Sequence, residues 1–213
     1  MSIDFIHRAN VVFWDFDGVI KDSVQVKSDA FEQLFLPFGK VVAKKVKTHH
    51  EENGGMSRYD KLPIYLKFAN QTSSSYLVNK YAEKFSQLVK RKVIGSPWVD
   101  GVMNYLQNNY KRQQFFLVTA TPQQEIEYIL SQLKIAKYFE QIIGSPTSKI
   151  EAIKFLLNRH KINSQNAVMV GDSSSDYEAS MQNQLTFILR KTKFNKQLQE
   201  SIDCQIIKDF IHE

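Results

Sequence analysis

The sequence of 213 residues has few of the features that mark secreted or membrane proteins. It contains a single cysteine, Cys204, which excludes an internal disulfide, and we expect this side chain to pack as an apolar group. No apolar run approaches the roughly 20 residues that are needed to cross a bilayer. Residues 1–10 also lack the basic and then apolar order of a signal peptide. These absences predict a cytoplasmic protein with no membrane partner.

Glycine and proline are also few, with 8 and 5 residues, and the chain has no internal repeat or low-complexity segment. Hydrophobic residues make up 43% of the chain and charged residues 23%, which is typical of a folded protein. A chain of this length can bury either one large core or a core that carries an insertion.

The net charge of +6 is unevenly distributed along the chain. Residues 21–92 contain 14 basic and 7 acidic residues, whereas the rest of the chain has a net charge of −1. No part of this segment alternates basic and aromatic residues as nucleic-acid-binding surfaces do. Solvated helix faces therefore explain the charge, and we expect no nucleic-acid partner.

Three short apolar runs each end in polar residues. They are Val11–Trp14, 115–118 and 167–170, and each is typical of a buried strand. Residues 123–133 and 150–158 have helical periodicity between the later strands. This alternation predicts an α/β fold with a doubly wound, Rossmann-like parallel sheet, whose ligands bind beyond the carboxyl ends of the strands.

A long segment between the first two strands has helical periodicity only. We predict an all-helical cap domain at residues 22–92, inserted into an α/β core of residues 1–21 and 93–213. Residues 98–109 are predicted to be a helix where the chain returns to the core. Two apolar stripes of the insertion are predicted to be buried: Val24, Phe31, Leu34, Phe35 and Phe38, and Leu77, Tyr81, Phe85 and Leu88.

Two acidic residues follow the first strand directly. Asp15 and Asp17 are two positions apart, so both carboxylates can converge at the end of the sheet. Carboxylates that lie this close need a compensating charge, and Mg²⁺ is a hard cation that prefers oxygen ligands. Taken alone, the Asp-x-Asp-Gly sequence is more typical of a polar turn with helix-capping acids.

The other two strands are also followed by polar side chains. Thr119 ends the second strand, Lys149 begins a helix, and Asp172 and Asp176 follow the third strand. The last two are also candidates for helix capping. Together these positions supply a nucleophile, an acid or base, a cation site, a hydroxyl and a lysine. Phosphoryl transfer through a covalent intermediate requires such a set.

This ordered set resembles the four motifs of the haloacid dehalogenase superfamily, in its phosphatase and phosphomutase branch with a helical cap after the first motif. The motifs stand here as Asp15-Phe16-Asp17-Gly18-Val19, Thr119, Lys149 and Gly171-Asp172-Ser173-Ser174-Ser175-Asp176. The resemblance covers nearly the whole chain. Residues 97–101 also resemble the segment in which such proteins return from the cap.

The resemblance implies a role for each core residue. Asp15 is expected to attack phosphorus and form a phospho-aspartate. Asp17 is expected to protonate the leaving oxygen and then activate water. The Thr119 hydroxyl and the Ala120 amide are expected to hold the phosphoryl group, and Lys149 to stabilise its charge. An acid at position 17 favours phosphate esters, since a leaving alkoxide needs a proton and a halide does not.

The resemblance also implies a magnesium site and a substrate loop. The metal ligands are expected to be the Asp15 carboxylate, the Asp17 carbonyl and Asp172, with Asp176 as a direct or indirect partner. Residues 54–58 resemble a cap loop whose arginine contacts the substrate.

Two residues of the insertion are candidates for substrate binding. Arg58 is the first, and the alternative is that Ser57 and Asp60 form a capping box while Arg58 points to water. Lys27 is the second, in a region where the resembled sugar phosphate mutases have a histidine, and this difference counts against mutase activity. His50 has no metal-type spacing, so we expect a surface or packing role.

The sequence therefore predicts a magnesium-dependent hydrolase of small phosphate monoesters, either sugar phosphates or acids similar to phosphoglycolate. Its expected partner is a small phosphorylated metabolite. A sugar phosphomutase is the alternative, and a non-catalytic binding protein is a third possibility. The motifs do not specify the leaving group or the oligomeric state, although a monomer is favoured.

Overall fold

A computed structural model describes residues 2–211 of the chain, with side chains from Phe5 onward. Residues 1, 212 and 213, the ends of the predicted core, lie outside the described residues. The six strands are β1 (Val11–Trp14), β2 (Gln114–Pro122), β3 (Gln141–Ser145), β4 (Ala167–Gly171), β5 (Thr186–Arg190) and β6 (Gln205–Ile207). The α-helices are α1 (Ser2–Arg8), α2 (Val24–Phe35), α3 (Lys40–Glu52), α4 (Arg58–Phe68), α5 (Ser75–Gly95), α6 (Val102–Asn109), α7 (Gln123–Gln132), α8 (Lys149–His160), α9 (Ser174–Gln182) and α10 (Lys196–Ser201).

All six strands form one parallel sheet. The strand order is β3-β2-β1-β4-β5-β6, and each neighbouring pair is parallel. Trp14, the last residue of β1, lies beside Leu117 of β2 and Val170 of β4. The polar residues that follow these three strands therefore meet at one edge of the sheet, as the sequence predicts.

The central strand divides its side chains between two hydrophobic layers. Val12 and Trp14 pack in a layer with α1, α6, α7 and the helices between β1 and β2. Val11 and Phe13 point the other way and pack with α8 and α9. Successive side chains of a strand alternate between faces, so a strand that is apolar throughout needs cover on both sides. The predicted doubly wound α/β architecture is confirmed.

The four helices α2 to α5 lie between β1 and β2 in sequence, and we call residues 24–95 the helical insertion. Its centre is aromatic: the ring centroid of Phe31 lies 3.8 Å from that of Phe85 and 5.2 Å from that of Tyr65. In α5 the buried row is Val78, Ala82, Phe85, Val89 and Val93. The other residues that were predicted to be buried in this helix are only partly buried: Leu77, Tyr81 and Leu88. Among the described residues, none of the helices has the length and hydropathy of a membrane span.

The two segments that join the insertion to the core lie side by side. The N–H of Asp22 donates to the carbonyl of Pro97 at 2.9 Å, and the N–H of Val99 donates to the carbonyl of Ile20 at 3.1 Å. The buried Lys21 side chain also joins them, because its Nζ donates to the carbonyl of Ile94 at 3.1 Å. Both ends of the insertion therefore leave the core at the same place.

The helix predicted over residues 98–109 begins four residues later than expected. Trp98 forms a β-bridge with Lys21 and lies under its ammonium group, with Nζ 4.1 Å from the ring centroid. Gly101 has a φ of 76°, a left-handed conformation that favours glycine. The helix therefore starts only at Val102, and the prediction was wrong at this end.

Candidate active site

The turn after β1 brings the first two acidic residues toward the fourth motif. The N–H of Asp15 donates to the carbonyl of Val170 at 3.0 Å, which extends the β1–β4 ladder by one bond. Gly18 then adopts a φ of 78°. A Cβ atom at this position would lie 2.0 Å from Oδ2 of Asp172. The close approach of Asp172 to the backbone of this turn therefore requires glycine.

An irregularity in β2 places two threonines at the same edge. The pairing of β2 with β3 shifts between Val118 and Pro122, so residues 119–121 lie outside the regular ladder. Thr119 and Thr121 are each 2% exposed, and the Thr119 hydroxyl accepts a hydrogen bond from the Thr121 N–H at 3.2 Å. Such irregularities re-aim side chains at strand ends.

Lys149 is the first residue of α8 and pairs with two carboxylates. Its Nζ lies 2.9 Å from Oδ2 of Asp15 and 2.5 Å from Oδ1 of Asp176. The other oxygen of Asp176 accepts hydrogen bonds from the N–H and the hydroxyl of Ser173 at the start of α9. Asp176 therefore caps a helix, as one of its two interpretations predicts, and also holds the lysine.

Three carboxylates form a buried acidic cluster. One oxygen from each of Asp15, Asp172 and Asp176 lies within 4.8 Å of the others. Burial raises the pKa of Asp15 to about 7; Lys149 opposes this shift and the neighbouring acids add to it. Burial, and then the charge of Asp15, raise the pKa of Asp172 well above its usual value. The single positive charge of Lys149 does not neutralise three carboxylates. The carboxylate oxygens of the cluster are hard donors that fit a divalent cation such as Mg²⁺.

Asp17 has a different environment from Asp15. Ser23 donates to Oδ1 at 2.6 Å, Thr121 donates to Oδ2 at 3.1 Å, and Lys27 forms an ion pair with Oδ2. Burial alone would raise the pKa of Asp17, but Lys27 and these hydrogen bonds outweigh it and lower the pKa. Lys27, a predicted substrate residue, thus contacts Asp17, and Asp17 rests as a carboxylate.

Arg58 does not point to water. It is 5% exposed, and its two terminal nitrogens donate to the two oxygens of Glu125 in α7 at 2.9 and 2.6 Å. Nη1 also donates to the hydroxyl of Ser86 at 2.6 Å. Ser57 caps α4 by accepting a hydrogen bond from the Tyr59 N–H, but the alternative in which Arg58 points to water is wrong. The ion pair instead joins the helical insertion to the core.

The glycine pair before α4 rests on the loop that begins α9. A Cβ atom at Gly55 would lie 1.9 Å from Oγ of Ser175 and 2.3 Å from Oγ of Ser173. A Cβ atom at Gly54 would meet no atom within 4 Å. Only the second glycine is therefore required for this contact.

One cavity of about 50 Å³ lies between the edge of the sheet and the helical insertion. A water-sized sphere needs roughly 10–15 Å³, so this cavity has room for a few of them. Of the predicted site residues, Asp176 lies behind Lys149 and the others line the wall. The lining predicted residues are Asp15, Asp17, Lys27, Arg58, Thr119, Ala120, Lys149 and Asp172.

Two polar residues of the insertion, His50 and Lys61, line the cavity although the sequence did not predict them as site residues. Lys61 of α4 is 1% exposed, and its Nζ lies 2.8 Å from Nδ1 of His50 in α3. The His50 ring packs against Phe31, with centroids 4.8 Å apart, which agrees with a packing role. Glu125 was also missed. The sequence offers no signal for these residues, because each contact joins two different helices.

The fold and the site define an α/β protein whose polar residues converge at the carboxyl edge of a parallel sheet. A family model described as haloacid dehalogenase-like hydrolase matches residues 12–189. The chain belongs to this family.

Comparison with individual proteins gives more distant similarities. A phosphoglycolate phosphatase from Pseudomonas putida is 25% identical, and the match covers 80% of this chain but 65% of that protein. The chain therefore spans about 65% of the length of this curated relative.

Two solved structures show the same fold at low identity. The structure of β-phosphoglucomutase from Clostridium difficile has a TM-score of 0.75 at 18% identity, covering 95% of this chain and 92% of that chain. A predicted phosphoglycolate phosphatase from Haemophilus somnus has a TM-score of 0.74 at 15% identity, covering 95% of each chain.

Proposed function

We propose that this protein hydrolyses small phosphate monoesters through a phospho-aspartate on Asp15. The observation that carries the proposal is the convergence of Asp15, Asp17, Thr119 and Lys149 on one small cavity. Asp15 and Asp17 lie two positions apart, whereas Thr119 and Lys149 come from separate parts of the chain. Together they provide the groups that covalent phosphoryl transfer needs.

In the first step a carboxylate oxygen of Asp15 attacks phosphorus, and the bond from phosphorus to the ester oxygen breaks. Lys149 orients Asp15 from 2.9 Å and stabilises charge on the phosphoryl oxygens. Thr119 and the N–H of Ala120 hold the phosphoryl group. Asp176 has both oxygens already hydrogen bonded, so we infer that it positions Lys149.

Asp17 moves the protons of both steps. It gives a proton to the leaving oxygen, and later takes one from the water that attacks phosphorus and releases Asp15. Its lowered pKa leaves it as a carboxylate at rest, which is the state that the second step needs. A phosphoryl dianion beside Asp17 raises its pKa, and this supports protonation when the substrate is bound.

The acidic cluster supports magnesium dependence. Asp15, Asp172 and the backbone carbonyl of Asp17 would hold Mg²⁺, with Asp176 nearby. When bound, this cation would offset the negative charge of the carboxylates and the phosphoryl group.

We also propose that the helical insertion, predicted as a cap domain at residues 22–92, covers the site. Lys27 and Arg58 line the cavity and are candidates for substrate contact. Each is paired with an acid of the core, Asp17 or Glu125, so both also hold the insertion against the core.

The small cavity supports a small phosphorylated metabolite as substrate, and the phosphoglycolate phosphatase relative is consistent with a short acid. The alternative is a sugar phosphomutase, whose phospho-aspartate must be protected from water. Stimulation of turnover by a sugar bisphosphate, with little phosphate release, would favour the mutase.

Phosphate release from a panel of sugar phosphates and short phosphorylated acids, with Mg²⁺ present, tests the proposal. Asp15→Asn should abolish release while the protein stays folded by circular dichroism, because the amide has the same shape but is not a nucleophile. Asp203→Asn, an exposed acid, serves as the control and should be fully active. Substantial turnover by Asp15→Asn would refute the assignment.

A further inference from the structure

Lys61 is a buried cation in the cavity wall for which the proposed chemistry has no use. Its Nζ contacts Nδ1 of His50 at 2.8 Å and the carbonyl of Gly54 at 3.4 Å. Both of these partners are neutral groups of the insertion. The lysine shares the cavity with the residues that would hold the phosphoryl group.

The other cations of the cavity wall each have a carboxylate partner. The pairs are Lys27 with Asp17, Arg58 with Glu125, and Lys149 with Asp15. Among the side chains that the structure describes, residues 5–211, Lys61 has no carboxylate within salt-bridge distance. Buried charges are nearly always paired, since an isolated charge loses its hydration without compensation. When it is charged, the lysine therefore presents to an anion in the cavity a positive charge that has no carboxylate partner of its own.

His50 fixes the position of this charge. Burial, and then the charge of Lys61, hold the pKa of His50 well below its usual value, so its imidazole is neutral and can accept a hydrogen bond from the ammonium group. Burial, and then Lys27, also lower the pKa of Lys61. An anion beside Nζ would oppose both effects and favour the charged lysine.

We propose that Lys61, positioned by His50, binds a second anionic group of the substrate, and that this group is a carboxylate close to the phosphoryl group. The inference rests on the proposed phosphatase function and names its substrate class: short phosphorylated acids rather than neutral sugar phosphates. A cavity of about 50 Å³ favours a carboxylate over a second, larger phosphate.

The test compares two esters of the same carbon number, phosphoglycolate and ethyl phosphate. Lys61→Met should lower kcat/KM for phosphoglycolate by roughly 10- to 100-fold, the effect of losing one charged hydrogen bond. For ethyl phosphate kcat/KM should change by less than about threefold, since this ester has no group for Lys61. Lys67→Met, an exposed lysine of the same helix, is the matched control and should change neither value.

A stability measurement separates substrate binding from a structural role. Removal of a buried charge that has no counterion should leave the melting temperature of the ligand-free protein equal or higher. A clearly lower melting temperature together with equal losses on both esters would show that Lys61 supports the fold, and would overturn the inference.

The remaining outcomes are also distinct. Wild-type turnover of both esters with no selective loss in Lys61→Met would overturn this inference and leave the proposed function in place. No wild-type turnover of either ester would overturn both. A third substrate, the bisphosphate of ethylene glycol, distinguishes the anions: a larger loss on it than on phosphoglycolate would overturn the carboxylate assignment.

Discussion

At the scale of single residues, Asp17 joins the proposed chemistry to the helical insertion. Its two oxygens accept hydrogen bonds from Ser23, Thr121 and Lys27. Ser23 directly precedes the insertion, and Lys27 lies in its first helix. Ser23 precedes α2 but uses its hydroxyl on Asp17 rather than on the helix backbone. The position of Asp17 therefore depends on how the insertion sits on the core.

Asp17→Asn should separate the two proton transfers. With ethyl phosphate, kcat should fall by at least about 100-fold, because the alkoxide cannot leave without a proton. With p-nitrophenyl phosphate, whose leaving group needs no proton, the variant should release one equivalent of nitrophenol per protein and then stop. Rapid mixing with absorbance detection measures this burst.

Asp29→Asn provides the control for this experiment. It removes an exposed acid of α2 that pairs with Lys47 at 2.7 Å and does not line the cavity, and it should leave the kinetics unchanged. Absence of the nitrophenol burst in Asp17→Asn would count against its assignment, because that result means that the attack by Asp15 has also failed.

The sequence predicts the core residues well because strand geometry places them. Asp15 and Asp172 directly follow β1 and β4, and Thr119 lies in the irregular end of β2. Neighbouring parallel strands end at one edge of the sheet. Lys61 and Glu125 could not be predicted in the same way. Their positions in the site depend on how the helices of the insertion pack on one another and on α7, and the sequence pattern shows only that those helices exist.

At the scale of elements, the Arg58–Glu125 pair joins α4 of the insertion to α7 of the core. Glu125→Gln should lower the free energy of unfolding by about 3–5 kcal/mol at pH 7, because it leaves the guanidinium buried without a counterion. Glu127→Gln on the exposed face of α7 is the control and should be nearly neutral. Chemical denaturation of the three proteins gives the comparison.

The same pair predicts a dependence on pH. Burial favours the neutral form of Glu125, but Arg58 outweighs it and lowers the pKa below its ordinary value of 4.5. An acid with a lowered pKa contributes stability that is complete above the ordinary value and is lost as pH falls through the lowered one. The difference between wild type and Glu125→Gln should therefore shrink below about pH 4.5. A difference that stays constant to pH 3 would contradict this account.

The two adjacent glycines offer a second test of how the insertion meets the core. Gly55→Ala should lower kcat/KM by roughly 10- to 100-fold, since its Cβ would overlap Ser175 and strain of about 1–3 kcal/mol would oppose the closed arrangement. Gly54→Ala, where the added Cβ meets nothing, should retain near wild-type kinetics. Equal effects of the two changes would mean that the loop does not close in this way.

Three strands were not predicted from the sequence: β5, whose three central residues are buried, and the two edge strands. The edge strands β3 and β6 are short and partly exposed, so neither has the continuous apolar run of β1 or β4. Contact with the neighbouring strand, rather than their own composition, stabilises them as strands.

At the scale of the whole molecule, metal binding should be visible in stability as well as in turnover. Mg²⁺ at 100 times its dissociation constant should add about 2.7 kcal/mol, which raises the melting temperature by about 5–10 °C for a chain of this size. Asp172→Asn should remove most of this increase. Thermal unfolding in MgCl₂ and in EDTA measures it, and an equal increase in the variant would contradict the assigned ligands.

The side-by-side junction of the insertion has a consequence for how such a protein can diversify. The Ile20 carbonyl and the Val99 N–H are already hydrogen bonded at 3.1 Å, so a tight turn could close the chain there without moving the sheet. Any segment whose two ends lie together can be grafted at this position. Evolution can therefore exchange the insertion, which we propose covers the site, while the residues at the edge of the sheet are inherited unchanged.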